Sequence, residues 1–191
     1  MIATQPSAAR TGEDPTSALA AALGSTGQLL RLAVGRSMFA VPIDLVREIL
    51  KVGQMTTLPL MPTFVRGVMN LRGAVVPVID LGARLHGQPS SLSRRTCVVV
   101  VEIRSRQDSA TQVMGVMVDA VHEVVDAANT QIEPVPPLGT DIRSDFLAAM
   151  ARLRGEIVPV LALEQVLDEG ALSQAIALHI TPQGRSPSAL H

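Results

Sequence analysis

Aromatic side chains are almost missing from this chain, which has three Phe and neither Trp nor Tyr. Ring packing cannot build its interior, so Val, Leu and Ile have to fill it. Cysteine occurs once, as Cys97, which excludes an intrachain disulfide and a thiolate metal cluster. Its setting in the run TCVVVVEI reads as a buried structural thiol. A cytoplasmic location follows as the default. Charge is sparse as well: 17% of residues are charged and the net charge is −1. That balance gives no electrostatic footprint for nucleic acid. Fifteen of the sixteen basic residues are Arg, which suits specific paired contacts. No run approaches the roughly 20 apolar residues of a membrane span. The apolar stretch Ser17–Leu23 is short and follows Glu13-Asp14 in place of a cationic leader. Neither a signal peptide nor direct membrane insertion is expected.

Catalytic signatures are missing too. There is no GxSxG elbow, no Walker loop, no GxGxxG after a strand and no HExxH. His86, His122, His179 and His191 show no metal-ligand spacing. Acid–base or nucleophilic chemistry needs convergent titratable groups. The sequence therefore predicts no catalytic residue, no metal and no cofactor. Hydrophobic content of 47% is ample for a core. What remains is a β-rich aliphatic body with its motif residues concentrated in turns, where a rigid scaffold commonly carries recognition. A binding module is favoured over an enzyme.

The dominant feature is an internal repeat. Leu71-Arg72-Gly73-Ala74-Val75-Val76-Pro77-Val78 matches Leu153-Arg154-Gly155-Glu156-Ile157-Val158-Pro159-Val160, a shift of 153 − 71 = 82. Upstream, Asp44-Leu45-Val46-Arg47-Glu48-Ile49 parallels Asp119-Ala120-Val121-His122-Glu123-Val124, a shift of 119 − 44 = 75. Two motifs in the same order argue for duplication, a pair of small β units and not a solenoid. Each LRG motif reads as a hairpin turn, since Gly takes positive φ without strain. Pro77 cannot donate to a ladder, so its strand should be an edge or carry a bulge, at least locally.

The remaining elements follow from turn residues and periodicity. Strands are expected over Gln28–Val34, Met38–Val41, Arg47–Val52, Thr96–Arg104 and Gln112–Val118, with a short extended piece at Thr56–Met61. Single helical turns are expected at Pro42–Val46 and over Asp145–Met150, with short helices at Leu81–His86 and Glu164–Asp168. Asp119–Val125 should echo the first helical turn and strand, and Asn129–Gly139 should run irregularly. Residues 1–27 read as a disordered tail, 28–87 and 96–168 as two subdomains, and 169–191 as a terminal helix with a frayed end.

FAVPIDLVREILKV, LPLMPTFVRGVMNLRGAVVPVIDLGARL and GVMVDAVHEVV resemble the CheW-type adaptor of bacterial chemotaxis, over roughly Gln28 to Asp168. The resemblance implies an all-β fold of two five-stranded, SH3-like barrels. It also implies a non-enzymatic adaptor of two-component signal transduction. Its partners would be the regulatory domain of a CheA-like histidine kinase and the cytoplasmic tip of methyl-accepting chemoreceptors. The protein would then be cytoplasmic and recruited to membrane-associated receptor arrays. An alternative is a paralogue serving a surface-motility or second-messenger pathway, or one that binds a single partner and titrates the array. Carried over by motif, Val46, Glu48, Gly67, Asn70 and Arg72 are the expected partner-binding positions, with Met114, Val116 and Val118 as further candidates. Glu48 and Arg72 are also expected to form an ion pair, with Glu123 and Arg154 in the equivalent places.

Overall fold

The two LRG motifs fold as β-hairpins with two-residue turns. Both central residues lie at positive φ in each: Arg72 at 53° and Gly73 at 90°, Arg154 at 51° and Gly155 at 83°. Two consecutive positive values fit a type I′ turn, whose twist matches that of the strands it joins. Glycine takes this conformation freely. Each Arg holds it against the crowding of its own Cβ.

The computed structural model describes residues 23–59, 61–104, 110–127, 130–136 and 142–168. Its strands are β1 (Gln28–Val34), β2 (Ser37–Pro42), β3 (Val46–Lys51), β4 (Val65–Leu71), β5 (Ala74–Asp80) and β6 (Cys97–Arg104). They continue with β7 (Thr111–Val118), β8 (Ala120–Asp126), β9 (Ile132–Glu133), β10 (Leu147–Leu153) and β11 (Glu156–Leu161). Short helices α1 (Leu81–His86) and α2 (Leu163–Val166) follow the two LRG hairpins. Single 3-10 turns, Ile43–Leu45 and Ser144–Phe146, lead into β3 and β10. The mainly-β expectation holds. Four local expectations do not. Among the described residues of Thr56–Met61 only Thr56 pairs, in a bridge to Val68. Asp119 leads into β8 without a helical turn, and Ile132–Glu133 is paired. The turn expected over Asp145–Met150 stops at Phe146, where β10 takes over from Leu147. The expected terminal helix and frayed end over 169–191 and the part of the expected tail before residue 23 lie outside the described residues. The last residues of that tail are ordered, Ser25 and Thr26 bonding to Asp44 and the Gly27 carbonyl accepting from the Ala127 amide.

The strands form two sheets, ordered β3-β6-β7-β5-β4 and β8-β1-β2-β11-β10-β9. Two units are present, as expected, one with five strands and one given a sixth by the two-residue β9. Their membership differs from the sequence division into 28–87 and 96–168. Strands β1 and β2 belong with the second repeat, and β6 and β7 with the first. Each repeat contributes a DxVxE strand and an LRG hairpin, then receives a second hairpin from the other half. The cause is visible in the pairing: β5 runs parallel to β7, and β11 parallel to β2. A tight hairpin cannot supply a parallel neighbour, so a distant stretch of chain does.

Proline at 77 fits this arrangement. Val68 exchanges backbone hydrogen bonds with Thr56 at 2.8 and 2.9 Å, so its polar groups point away from β5. Val68 and Pro77 are then a non-hydrogen-bonded pair, and the missing N–H of Pro77 faces β7. Pairing with β7 starts only at Val78. Strand β5 is interior in the sheet order, yet a free edge at its proline.

Packing of the described residues forms three apolar clusters. One belongs to each sheet, with Leu29, Ala149 and Leu153 in the first and Val78, Val98 and Val100 in the second. The largest lies between the sheets and takes Leu32, Phe39, Val99, Val101, Met114 and Leu161 from both. Alternate residues of β6 thus serve different clusters, which is why its sequence is a continuous apolar run. Full burial of each such aliphatic side chain contributes roughly 1.5–3 kcal/mol.

Candidate functional site

Strands β3 and β4 stand at opposite ends of their sheet order. Arg72, on the β4–β5 turn, donates from Nη2 to Oε2 of Glu48 on β3 at 3.1 Å. The ion pair therefore joins the two ends of one sheet. It is a single contact, not the two-pronged fork that Arg and carboxylate can form. With the Arg72 side chain 81% exposed, solvent screening limits its worth to about 1 kcal/mol at most. The turn has its own support, because Asn70 Oδ1 accepts from the Gly73 amide at 2.9 Å.

The second repeat builds the same joint with more charge. Arg154 Nη2 meets Glu123 Oε2 at 2.6 Å. Arg31 also reaches Glu123, through Nη1 at 3.0 Å, and Glu156, through Nη2 at 3.0 Å. Where the first glutamate has one arginine, the second has two.

The strands that carry the first pair also carry aliphatic side chains at or near the surface. Val46 is half-buried and packs on the cluster between the sheets. Ile49 and Val75 are 44% and 69% exposed, and their repeat counterparts Val124 and Ile157 are 47% and 55% exposed. Sequence reasoning passed over these four. The signal was available, since apolar residues recur at these positions in both copies of the repeat. Asn70 is exposed on β4, and Gly67 is buried there beside Thr56.

The remaining sequence candidates lie elsewhere. Met114, Val116 and Val118 are 1%, 2% and 0% exposed and belong to the cluster between the sheets. Spaced two apart on β7, they share one face, and that face is core. They hold the sheets together and present no surface to a partner.

Four further residues carry structure that the motifs only hinted at. Asp44 and Asp119 open the two DxVxE motifs, and each carboxylate anchors a distant segment. Asp44 accepts from the backbone and hydroxyl groups of Ser25 and Thr26. The Thr26 bonds above all, and then those of Ser25, hold its carboxyl below the usual carboxylate range. Asp119 accepts from the Gly35 amide in the β1–β2 turn. Asp80 is fully buried and caps α1 through the Ala83 amide at 3.1 Å. Arg84 on α1 donates from Nε to the Val166 carbonyl at 2.8 Å.

Burial pushes the Cys97 thiol up from its ordinary range, as expected of a structural cysteine. Among the described residues, no three His, Cys, Asp or Glu side chains are grouped as a metal ion would require. No helix there is long and apolar enough to cross a membrane. What the surface offers is exposed aliphatic side chains on the strands that carry the ion pairs, a chemistry suited to recognition.

Comparison with known proteins bears on the same residues. The model of the CheW-like domain matches residues 28–171. Chemotaxis protein CheW of Rhizobium meliloti is 32% identical over 139 residues, 73% of this chain and 86% of that protein. Protein FrzA of Myxococcus xanthus is 31% identical over 165 residues, 85% of this chain and 98% of that one. The crystal structure of scaffolding protein TtCheW from Thermoanaerobacter tengcongensis matches with a TM-score of 0.66 at 29% identity, covering 76% of this chain and 90% of that one. Since the match takes in both repeats and both sheets, the chain belongs to the CheW-like domain family.

Proposed function

We propose that this chain is a non-enzymatic adaptor that couples the cytoplasmic tips of methyl-accepting chemoreceptors to the regulatory domain of a CheA-type histidine kinase. The observation that carries this reading is the Glu48–Arg72 pair at the joint of the first sheet, on strands that also expose Ile49, Asn70 and Val75. A receptor tip is a helical hairpin, and a helix seated on an aliphatic surface takes its register from a few polar groups. Val46, Glu48, Asn70 and Arg72 are the receptor contacts in this reading. Gly67 shapes β4 beneath them. The kinase uses a separate face, and the adaptor is recruited from the cytoplasm to membrane-associated arrays.

The test is sedimentation of the purified chain with receptor-bearing membranes and kinase. Both partners should be found with it in the pellet. Failure to recruit either one, with folding verified by circular dichroism, rejects the proposal. The similarity to FrzA over most of the chain favours a second reading, a paralogue serving a separate pathway or binding one partner only. Dose dependence separates the two: an adaptor stimulates kinase near stoichiometry, whereas a one-sided binder only suppresses it.

A further inference from the structure

We propose that Arg84 is a positioning residue that clasps the two sheets at the point about which the repeats are related and fixes their relative orientation. The consequence for coupling rests on the adaptor reading above, whereas the clasp itself does not. The guanidinium of Arg84 lies over two rings, Phe64 at 4.5 Å and Phe146 at 4.9 Å. Those two Phe are repeat counterparts, 146 − 64 = 82. Each enters its LRG hairpin the same way, the Phe64 carbonyl accepting from Asp80 at 2.7 Å and the Phe146 carbonyl from Ala162 at 2.9 Å. The acceptor of the Arg84 Nε–H bond is Val166, which is Arg84's own counterpart, 166 − 84 = 82. A residue that touches its counterpart sits beside the axis relating two copies.

Arg84 comes from the helix that follows the first LRG hairpin, while Phe146 and Val166 flank the second. The clasp therefore crosses from one sheet to the other. Val166 is 1% exposed and apolar, so the second copy brings no matching cation to the axis. Arg143 lies over the Phe146 ring as well, at 4.6 Å, and is paired with Asp145. Burial, and then the Arg143 charge, lower the Arg84 pKa, while Asp168 and Asp145 oppose that shift. The apolar cluster between the sheets is large but non-directional. A planar guanidinium held between two rings with one aimed N–H is directional, and lysine cannot reproduce it.

Electron–electron distance measurement on the full chain tests the clasp without any partner. Nitroxides are placed at Val75→Cys and Ile157→Cys, exposed counterparts on the two hairpins, while Cys97 stays buried and unlabelled. The parent chain should give one narrow distance distribution. Arg84→Met and Arg84→Lys should both lose that narrow peak, with hydrogen exchange in Val98–Val101 still slow. Should the methionine variant fail to fold, the lysine variant carries the comparison. An unchanged distribution in a folded Arg84 variant overturns the clasp. In the functional arm, receptor and kinase should each bind the unlabelled Arg84 variant, with Val75 and Ile157 intact, with unchanged affinity, while kinase activation in the joint complex falls. Full activation by a chain with broadened distances overturns the positioning role. Absence of binding by the parent chain would count against the adaptor reading and leave the distance result standing.

Discussion

The carbonyl oxygen of Thr56 occupies the space that a side chain on Gly67 would need. Gly67 sits at φ 142°, where the register between β4 and β5 slips, and the next residue, Val68, holds Thr56 through two backbone hydrogen bonds. That contact pins the segment after β3 against β4. A methyl group at 67 would have to displace backbone, not a flexible side chain. Gly67→Ala is expected to lower unfolding stability by at least about 2 kcal/mol. Urea denaturation measures it, and exchange of the Thr56 amide should quicken even in the fraction that stays folded.

Arg72 separates stability from recognition. Its side chain is 81% exposed, so Arg72→Ala should change unfolding free energy by less than about 1 kcal/mol. Arg72→Gly loses the same ion pair but relieves a φ of 53°, which is worth about 1 kcal/mol in the other direction. The two variants should differ in stability and agree in weakened association with receptor-bearing membranes. Equal receptor affinity in parent and variants, measured by sedimentation, would restrict Arg72 to ordering its turn.

How much of this was legible in the sequence depends on the range over which each signal acts. Local chemistry transmitted well. Positive-φ glycine, β-branched runs and the proline offset placed both LRG hairpins, and duplication announced two units. Sheet membership did not transmit, because β5 with β7 and β11 with β2 are parallel contacts between remote segments. Nothing local in Gln28–Pro42 tells that this hairpin joins the second repeat. The candidate site divided along the same line. Glu48 and Arg72 could be matched through the motifs that resemble the family's, which imply their pairing. Met114, Val116 and Val118 could not be sorted, because β7 is buried along both faces from Met114 onward and alternation carries no inside–outside signal there. Arg84 gave no signal at all, since its meaning depends on two rings 82 residues apart meeting around it.

Asp44 makes the fold's attachment to Ser25 and Thr26 sensitive to acid. Hydrogen bonds from Thr26, then Ser25, lower its pKa in the folded protein. A depressed carboxylate pKa contributes stability that is present above the unfolded value of about 3.9 and disappears as pH falls through the folded one. Asp44→Ala should therefore be less stable than the parent at neutral pH, and the gap should close below about pH 4. Urea midpoints of both proteins between neutral and acid pH give the comparison. A gap that stays constant across that range would mean the anchor acts by packing and not by charge.

Asp80 presents the sharper electrostatic problem, a carboxylate with no exposed surface. Its Oδ1 accepts from the Ala83 amide and the Ser90 hydroxyl at 3.1 and 2.7 Å, and its Oδ2 accepts from the Ser90 amide at 2.9 Å. Arg66 stands 3.8 Å away as the compensating charge. Asp80→Asn preserves shape but turns one acceptor into a donor. Whichever way the amide is flipped, its NH2 faces a backbone N–H, that of Ala83 or that of Ser90. One buried donor loses its acceptor in either rotamer, and Arg66 loses its counter-charge. The expected loss is about 1–3 kcal/mol, more than that of Ser90→Ala, which removes a single hydroxyl. Because Asp80 caps the helix that carries Arg84, the loss should be accompanied by faster amide exchange in both Ala83 and Gly87. Fast exchange confined to Ser90, with α1 still protected, would show that the carboxylate holds the following loop and not the helix.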